Sequence, residues 1–282
     1  MKPLSYNASG DIREVTLAVD KPSGASLLRE IFPSAEHLPP EAARHLIGLY
    51  SEPGEIVLDP DMGRGSLMAE AVFMNRDAFG IGGSPLDELA ARVRLNSPAP
   101  ERLRELLRDL PETGTVEYID TLEDREAGNF FRLCVCECYA NKKHAPSDIR
   151  SAAEKNIAVL EKAADSVGKR GVFQHFAHLT EIGLNTADMI VYSPGIVRGQ
   201  AVVPMFWPEL GGKYNGTRDI SSNFRELGRV LKPGGYLCII EDKETAGRNE
   251  IVFDDLFYHR HTVVLKTGSS ALAVTVTEKR HT

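Results

Sequence analysis

Long apolar segments are missing from this chain. No run of about 18 consecutive apolar residues occurs, the length that a membrane-spanning helix needs. The amino-terminal stretch MKPLSYNASGDIREV also lacks the apolar core of a secretory signal peptide. We therefore expect a soluble, cytoplasmic protein with no membrane partner.

Cysteine is scarce, and its spacing fits neither disulfides nor zinc. Three of the four cysteines, Cys134, Cys136 and Cys138, alternate within RLCVCECYA, where they cannot easily pair with one another. A zinc site would need CxxC-type spacing and a second ligand pair, and only His144 lies near. None of the eight histidines belongs to an HExxH motif. We predict no metal site, and we interpret the alternating cysteines as reduced residues on one face of a buried β-strand.

Basic residues are not in excess. The chain has 33 Lys and Arg against 40 Asp and Glu, a net charge of −7. It therefore has no overall field that attracts a polyanion, and contact with nucleic acid would need a local patch. Basic clusters occur at 142–144 and at Lys169 and Arg170, for which a solvated surface is the favoured alternative.

Alternating strand and helix patterns dominate what is present. With 282 residues and 42% hydrophobic content, the chain can bury one large core. We predict a strand at EIVLDP, a glycine turn at DMGRGS and a helix at SLMAEAVFMN. A second strand, at DAFGIGGSP, is followed by a second helix, at LDELAARVRLN. Two successive β-α units predict an α/β fold with a doubly wound, mostly parallel sheet.

The later segments extend this pattern. Strands are predicted at GVFQHFAHL, ADMIVYSPG and YLCIIED, a helix at SSNFRELGRVL, and a closing antiparallel hairpin across Gly268. We predict an amino-terminal capping arm at 1–36, a main domain at 37–282 and a helical insertion at about 99–170.

The glycine turn after the first predicted strand is a candidate ligand site. An acid at the end of a strand, followed by a glycine-rich turn and a helix, presents backbone N–H groups to a ligand at the carboxyl edge of the sheet. A nucleotide-like cofactor would suit that position. A plain tight turn is the alternative.

Four segments occur in a fixed order along the chain, LPPEAARHLIGLYSEPGEIVLDPDMGRGS, FGIGGSP, ADMIVYSPG and FRELGRVLKPGGYLCII. Together they resemble the N4-cytosine/N6-adenine DNA methyltransferase family, and the similarity covers residues 37–97 and 171–243. The resemblance implies a Rossmann-like methyltransferase fold that uses S-adenosylmethionine. It also implies methylation of an exocyclic amino group of a base in DNA, with RNA as the less favoured substrate.

The resemblance assigns roles to particular residues. Ser193 and Pro194 would accept hydrogen bonds from the amine and localise its lone pair toward the sulfonium methyl. In the family an aromatic side chain stacks on the flipped base, but Ile196 stands at that position here. Stacking would then have to come from elsewhere, with Tyr192, Phe206 and Trp207 as candidates, although Trp207 equally suits a buried anchor. The residues implied in cofactor binding are Pro39, Pro40, Asp59, Pro60, Gly63, Gly65, Ser66, Gly82 and Gly83.

The family pattern is broken in the cofactor segments. The turn carries Asp61 and Arg64, and Arg64 is expected either to be solvated or to pair with Asp61. Gly82 stands where the family has the acid that binds ribose. The acid that contacts adenine is also missing. The candidate substitutes for it are Gln174, His175 and His178.

The catalytic loop departs as well, because Gly195 and Ile196 replace the second proline and the aromatic residue. These departures motivate an alternative function, a catalytically inactive partner subunit of a DNA-modification or restriction complex. Such a chain would bind a protein partner or form a homodimer. A third hypothesis, a methyltransferase of small molecules or another Rossmann-type enzyme, fits the acidic charge. The Ser-Pro segment disfavours it, because that segment ends the strand where a base amine would be positioned.

Overall fold

One eight-stranded sheet runs through the molecule. The computed structural model describes residues 13–18, 23–33, 38–143, 145–165, 170–193, 207–211, 220–242, 256–267 and 270–281. The strands are β1 (Arg13–Leu17), β2 (Ile56–Asp59), β3 (Asp77–Ile81), β4 (Phe173–Phe176), β5 (Ala187–Tyr192), β6 (Leu231–Asp242), β7 (Phe257–Thr267) and β8 (Ser270–Lys279). Their order across the sheet is β1-β7-β8-β6-β5-β2-β3-β4. Strand β8 is antiparallel to β6 and β7, and the other neighbouring pairs are parallel.

Helices cover both faces of this sheet. They are α1 (Gly24–Leu28), α2 (Pro40–Tyr50), α3 (Ser66–Phe73), α4 (Pro85–Asn96), α5 (Pro100–Asp109), α6 (Thr115–Asp120), α7 (Arg125–Ala140), α8 (Pro146–Ala164) and α9 (Ile220–Val230). Helices α2 and α3 pack on the face that includes Val57 and Met189, whereas α9 packs on the face that includes Leu58 and Ile190. The predicted doubly wound α/β fold is confirmed.

The element boundaries follow from local chemistry. Helix α2 begins at Pro40, whose fixed φ suits the first helical position. Helix α4 begins with a capping box in which the Ser84 side chain accepts from the Asp87 N–H and the Asp87 side chain accepts from the Ser84 N–H. The closing hairpin is confirmed, with Thr267 opposite Ser270. Gly268 lies outside the described residues.

The cysteine segment is a helix, so the prediction of a buried strand there is wrong. Cys134, Cys136 and Cys138 lie in α7, which packs against α4, α6 and α8 and is buried on nearly every side. A helix that is apolar all round shows no 3.6-residue period, and alternating small residues then mimic a strand. The cysteines are buried and free, as expected.

The predicted insertion is helical. Helices α5 to α8 form a layer whose core is continuous with residues of α1 and α4. Strand β1 lies at the sheet edge beside β7, and the arm boundary at residue 36 stays a prediction. No helix in the described part of the chain has the length and apolar character to cross a membrane.

Candidate functional site

The strand order reverses between β2 and β5. From β2 the chain continues to β3 and β4 on one side, whereas β5 and β6 lie on the other side of β2. Such a reversal opens a crevice at the carboxyl ends of the strands, where open α/β sheets bind ligands. The register pairs Leu58 with Ile190, so the turn that follows Asp59 and the residue Ser193 after β5 border this crevice.

Backbone hydrogen bonds fix the turn after β2. The Asp61 N–H donates to Oδ1 of Asp59 over 2.9 Å, and the Met62 N–H donates to the carbonyl of Ile81 over 3.1 Å. The second bond ties the turn to the end of β3. Two carboxylates, those of Asp59 and Asp61, therefore stand in a rigid turn at the mouth of the crevice.

Packing within the protein favours glycine at two positions of this region, whether or not a ligand binds there. A Cβ on Gly65, whose φ is +76°, would lie 2.9 Å from the Cβ of Ala91 in α4. A Cβ on Gly83, whose φ is +102°, would lie 3.2 Å from the Cβ of Asp87 and 3.5 Å from the carbonyl oxygen of Gly63. The glycine turns after β2 and β3 therefore touch each other. Both the tight-turn interpretation and a ligand cradle are compatible with this geometry.

The Arg64 side chain connects the glycine turn to α4 and to the segment after α1. Its Nε donates to Oδ1 of Asp87 over 3.1 Å, and its Nη1 donates to the carbonyls of Phe32 and Pro33 over 3.0 and 2.9 Å. Neither expected state of Arg64, solvated or paired with Asp61, accounts for these contacts. The sequence reasoning missed Asp87 because the partner lies one β-α unit further along the chain.

Ser66, one of the implied cofactor residues, accepts a hydrogen bond from Nη1 of Arg94 over 3.2 Å. Arg94 is 3% exposed and also donates to the carbonyls of Arg64 and Ile31. This arginine joins the turn, α4 and the segment after α1. The Ser66 hydroxyl therefore has a structural role in the turn.

Of the implied cofactor residues, Pro39 is the N-cap of α2 and Pro40 is its first residue. One turn further, Nη1 of Arg44 lies 3.3 Å from the carboxylate of Glu70 in α3. Burial raises the pKa of Glu70, and the charge of Arg44 opposes that shift. The pair fixes α2 against α3.

Two of the three aromatic candidates, Tyr192 and Trp207, lie in the core. Tyr192 is 1% exposed, and its ring packs edge-on against Phe224 with centroids 6.3 Å apart. Trp207 is buried, and its Nε1 donates to Asp120 over 3.2 Å. Neither ring has a face open for stacking on a base, and the buried anchor is the arrangement that Trp207 adopts. Phe206, Pro194, Gly195 and Ile196 lie outside the described residues.

An acid that the sequence reasoning missed stands beside the ends of β3 and β4. Oε1 of Glu88, in the first turn of α4, lies 3.2 Å from Nδ1 of His175 and 3.0 Å from Nε of Arg92. His175 is paired with Gly80 across the two strands. Burial lowers the pKa of His175, and the charge of Glu88 opposes this. The four-residue spacing of Glu88 and Arg92 on a helix was the available signal.

The other two candidates to replace the adenine acid, Gln174 and His178, are exposed. Of the basic clusters, Lys142 and Lys143 are exposed, whereas His144 and Lys169 lie outside the described residues. Within the described ranges, no group of three metal-ligating side chains could hold a metal ion.

Comparisons with known proteins give structural likeness only. No model of a known protein family and no curated protein sequence matches the chain. Among solved structures, the rRNA methyltransferase aviRa from Streptomyces viridochromogenes is 12% identical with a TM-score of 0.45, over 89% of this chain and 91% of that one. TrmN from Thermus thermophilus is 17% identical with a TM-score of 0.41, over 86% of this chain and 49% of that one.

A protein from Methanococcus maripaludis, proposed to be an S-adenosyl-L-methionine-dependent methyltransferase, is 14% identical with a TM-score of 0.40, over 94% of this chain and 97% of that one. The present chain spans about half the length of the T. thermophilus protein. Identities and TM-scores this low transfer no activity, cofactor or substrate to the chain.

Proposed function

We propose that this chain binds S-adenosylmethionine in the crevice between β2 and β5 and methylates an exocyclic amino group of a base in DNA. One observation carries the proposal. The glycine turn after β2 and Ser193 after β5, which the family resemblance assigns to cofactor and substrate, border the same crevice at the reversal of strand order. A methyl donor and its acceptor must meet within bonding reach, and this is the point in the sheet where the two segments converge.

The residues at the crevice suit a nucleoside cofactor. Gly63, Gly65, Gly82 and Gly83 all have positive φ and present backbone without side chains at the ends of β2 and β3. Pro39 and Pro40 begin the helix that flanks α3. When bound, S-adenosylmethionine supplies an electrophilic methyl group on a sulfonium.

Substrate activation is assigned to the segment after β5. The lone pair of an exocyclic amine is delocalised into the base ring, so the amine is a poor nucleophile. The Ser193 hydroxyl and the Pro194 carbonyl would accept its two N–H bonds and localise the lone pair. Because Tyr192 is buried in the core at the end of β5, another residue would have to stack on the base.

The test is transfer of labelled methyl groups from S-adenosylmethionine to unmethylated DNA, with RNA as the second substrate. The unmodified chain should label DNA, and Ser193→Ala should slow transfer by about 100-fold or more because one preorganised hydrogen bond is lost. Ser147→Ala, at an exposed position of α8, is the matched control. Unchanged transfer by Ser193→Ala would overturn the assigned mechanism, and labelling of RNA alone would overturn the DNA substrate.

A second candidate is a methyltransferase-like subunit that binds a protein partner and has lost transfer. It is favoured by Gly82, which follows β3 with a φ of +76° and has no carboxylate. Cofactor binding without labelling of either nucleic acid would support this candidate. Transfer by the purified chain alone would exclude it.

A further inference from the structure

We infer that Glu88, positioned by His175 and Arg92, is the carboxylate that receives the ribose hydroxyls of the cofactor in place of the acid missing at Gly82. This inference rests on the proposed function. Rossmann-type sites generally use a carboxylate after the glycine turn to accept hydrogen bonds from the ribose. In this chain Gly82 follows the end of β3, so the carboxylate has to come from another position.

Glu88 is near the required place. The backbone nitrogen of Glu88 lies 3.9 Å from the position that a Cβ on Gly83 would occupy. The same Cβ position lies 3.5 Å from the carbonyl oxygen of Gly63, and the hydrogen bond from the Met62 N–H to the Ile81 carbonyl joins the two glycine turns. The start of α4 therefore borders both glycine turns, and a side chain from its first turn can reach a ligand lying between them.

The two acids of this first turn have different environments. Both carboxylate oxygens of Asp87 are engaged, Oδ1 by Arg64 and Oδ2 by the N–H and hydroxyl of Ser84. The side chain of Asp87 is 13% exposed and that of Glu88 is 34% exposed. Asp87 therefore caps the start of α4. Glu88 is the acid of this turn that can accept hydrogen bonds from a ligand.

The contacts of Glu88 orient it for that role. His175 and Arg92 both approach Oε1, and no contact within the described ranges engages Oε2. Two donors on one oxygen hold the carboxylate in a fixed plane and leave the second oxygen for a hydroxyl pair. His175 and Arg92 act through Glu88, so they are positioning residues.

The experiment is calorimetric binding of two probes, S-adenosylhomocysteine and its analogue that lacks both ribose hydroxyls. The unmodified chain should bind the first about 10- to 100-fold more tightly, as expected for charge-assisted hydrogen bonds. Glu88→Gln should lose most of this discrimination, with little change in affinity for the analogue. Glu101→Gln, an exposed acid in the first turn of α5, is the matched control and should keep it.

His175→Asn should reduce the discrimination partly, since it removes the imidazole that orients Glu88. Thermal unfolding of each variant verifies that it is folded. Full discrimination in folded Glu88→Gln would overturn the inference while the proposed function stands. Failure of the unmodified chain to bind S-adenosylhomocysteine would overturn both.

Discussion

The carboxyl edge of the sheet and the helical layer α5 to α8 both bury polar groups, but they hold them differently. At the edge, the Asp59 carboxylate accepts a backbone N–H inside a turn that borders the crevice. In the layer, Glu137 is buried between Asn156 and Lys155, which donate to its carboxylate over 3.0 and 2.8 Å. Polar side chains that satisfy each other's hydrogen bonds stabilise the fold. A side chain that is held by a backbone hydrogen bond at a crevice can still bind a ligand.

This contrast leads us to expect that substitutions in the layer change the free energy of unfolding, and that substitutions at the edge change binding. Residues that join the two regions should have intermediate effects. The predictions below are ordered by the size of the expected effect on stability.

The largest loss is expected for Phe131→Ala in α7. Phe131 is fully buried and packs edge-on against Phe130. Loss of the ring should leave a cavity and lower the free energy of unfolding by about 3–5 kcal/mol in urea denaturation. Phe79→Ala, at a half-buried site on β3, is the control and should cost less. Equal losses at the two sites would break the contrast between layer and edge.

Arg94→Met comes next, because Arg94 connects the glycine turn to the segment after α1. The change leaves the carbonyls of Ile31 and Arg64 without this donor, at a cost of about 2–4 kcal/mol. Arg102→Met, which removes an exposed ion pair with Glu105, should change stability by less than about 1 kcal/mol. The same denaturation experiment compares them, and a neutral Arg94→Met would contradict the role of this arginine.

Gly65→Ala should cost about 1–3 kcal/mol, because the new Cβ overlaps Ala91 and φ is positive. Ala91→Gly in the same chain removes the overlap but not the backbone strain. We therefore expect the double variant to recover part of the loss. If the second change gives no recovery, packing against α4 is not the reason for this glycine.

Thiol labelling resolved to the α7 peptide reports on the layer, because Cys134, Cys136 and Cys138 lie in α7 whereas Cys238 lies in β6. Burial raises the pKa of Cys136 to about 12 and that of Cys138 to about 11. Since the thiolate is the reactive form, alkylation of the native protein at pH 8 should be slow and should rise about tenfold per pH unit. The urea-unfolded chain is the control. Native labelling at the unfolded rate would show that the layer opens readily.

The sequence predicted the edge better than the layer, for a physical reason. The strand EIVLDP, the glycine turn after it and the helix SLMAEAVFMN depend on residues a few positions apart, so a local pattern shows them. The helical state of Cys134 and Cys136 depends on burial by three other helices. The acid Glu88 was missed because its partner His175 is brought near only by the pairing of β3 with β4.

Hydrogen exchange with and without S-adenosylhomocysteine tests the central claim most directly, because it reads both regions in one experiment. The account predicts slower exchange at the amides of 61–66, 82–84 and 86–88, since Pro60 and Pro85 have no amide hydrogen, with no change in α7 and α8. Protection confined to the helical layer, or no protection at millimolar ligand, would contradict a cofactor site at the carboxyl edge of the sheet.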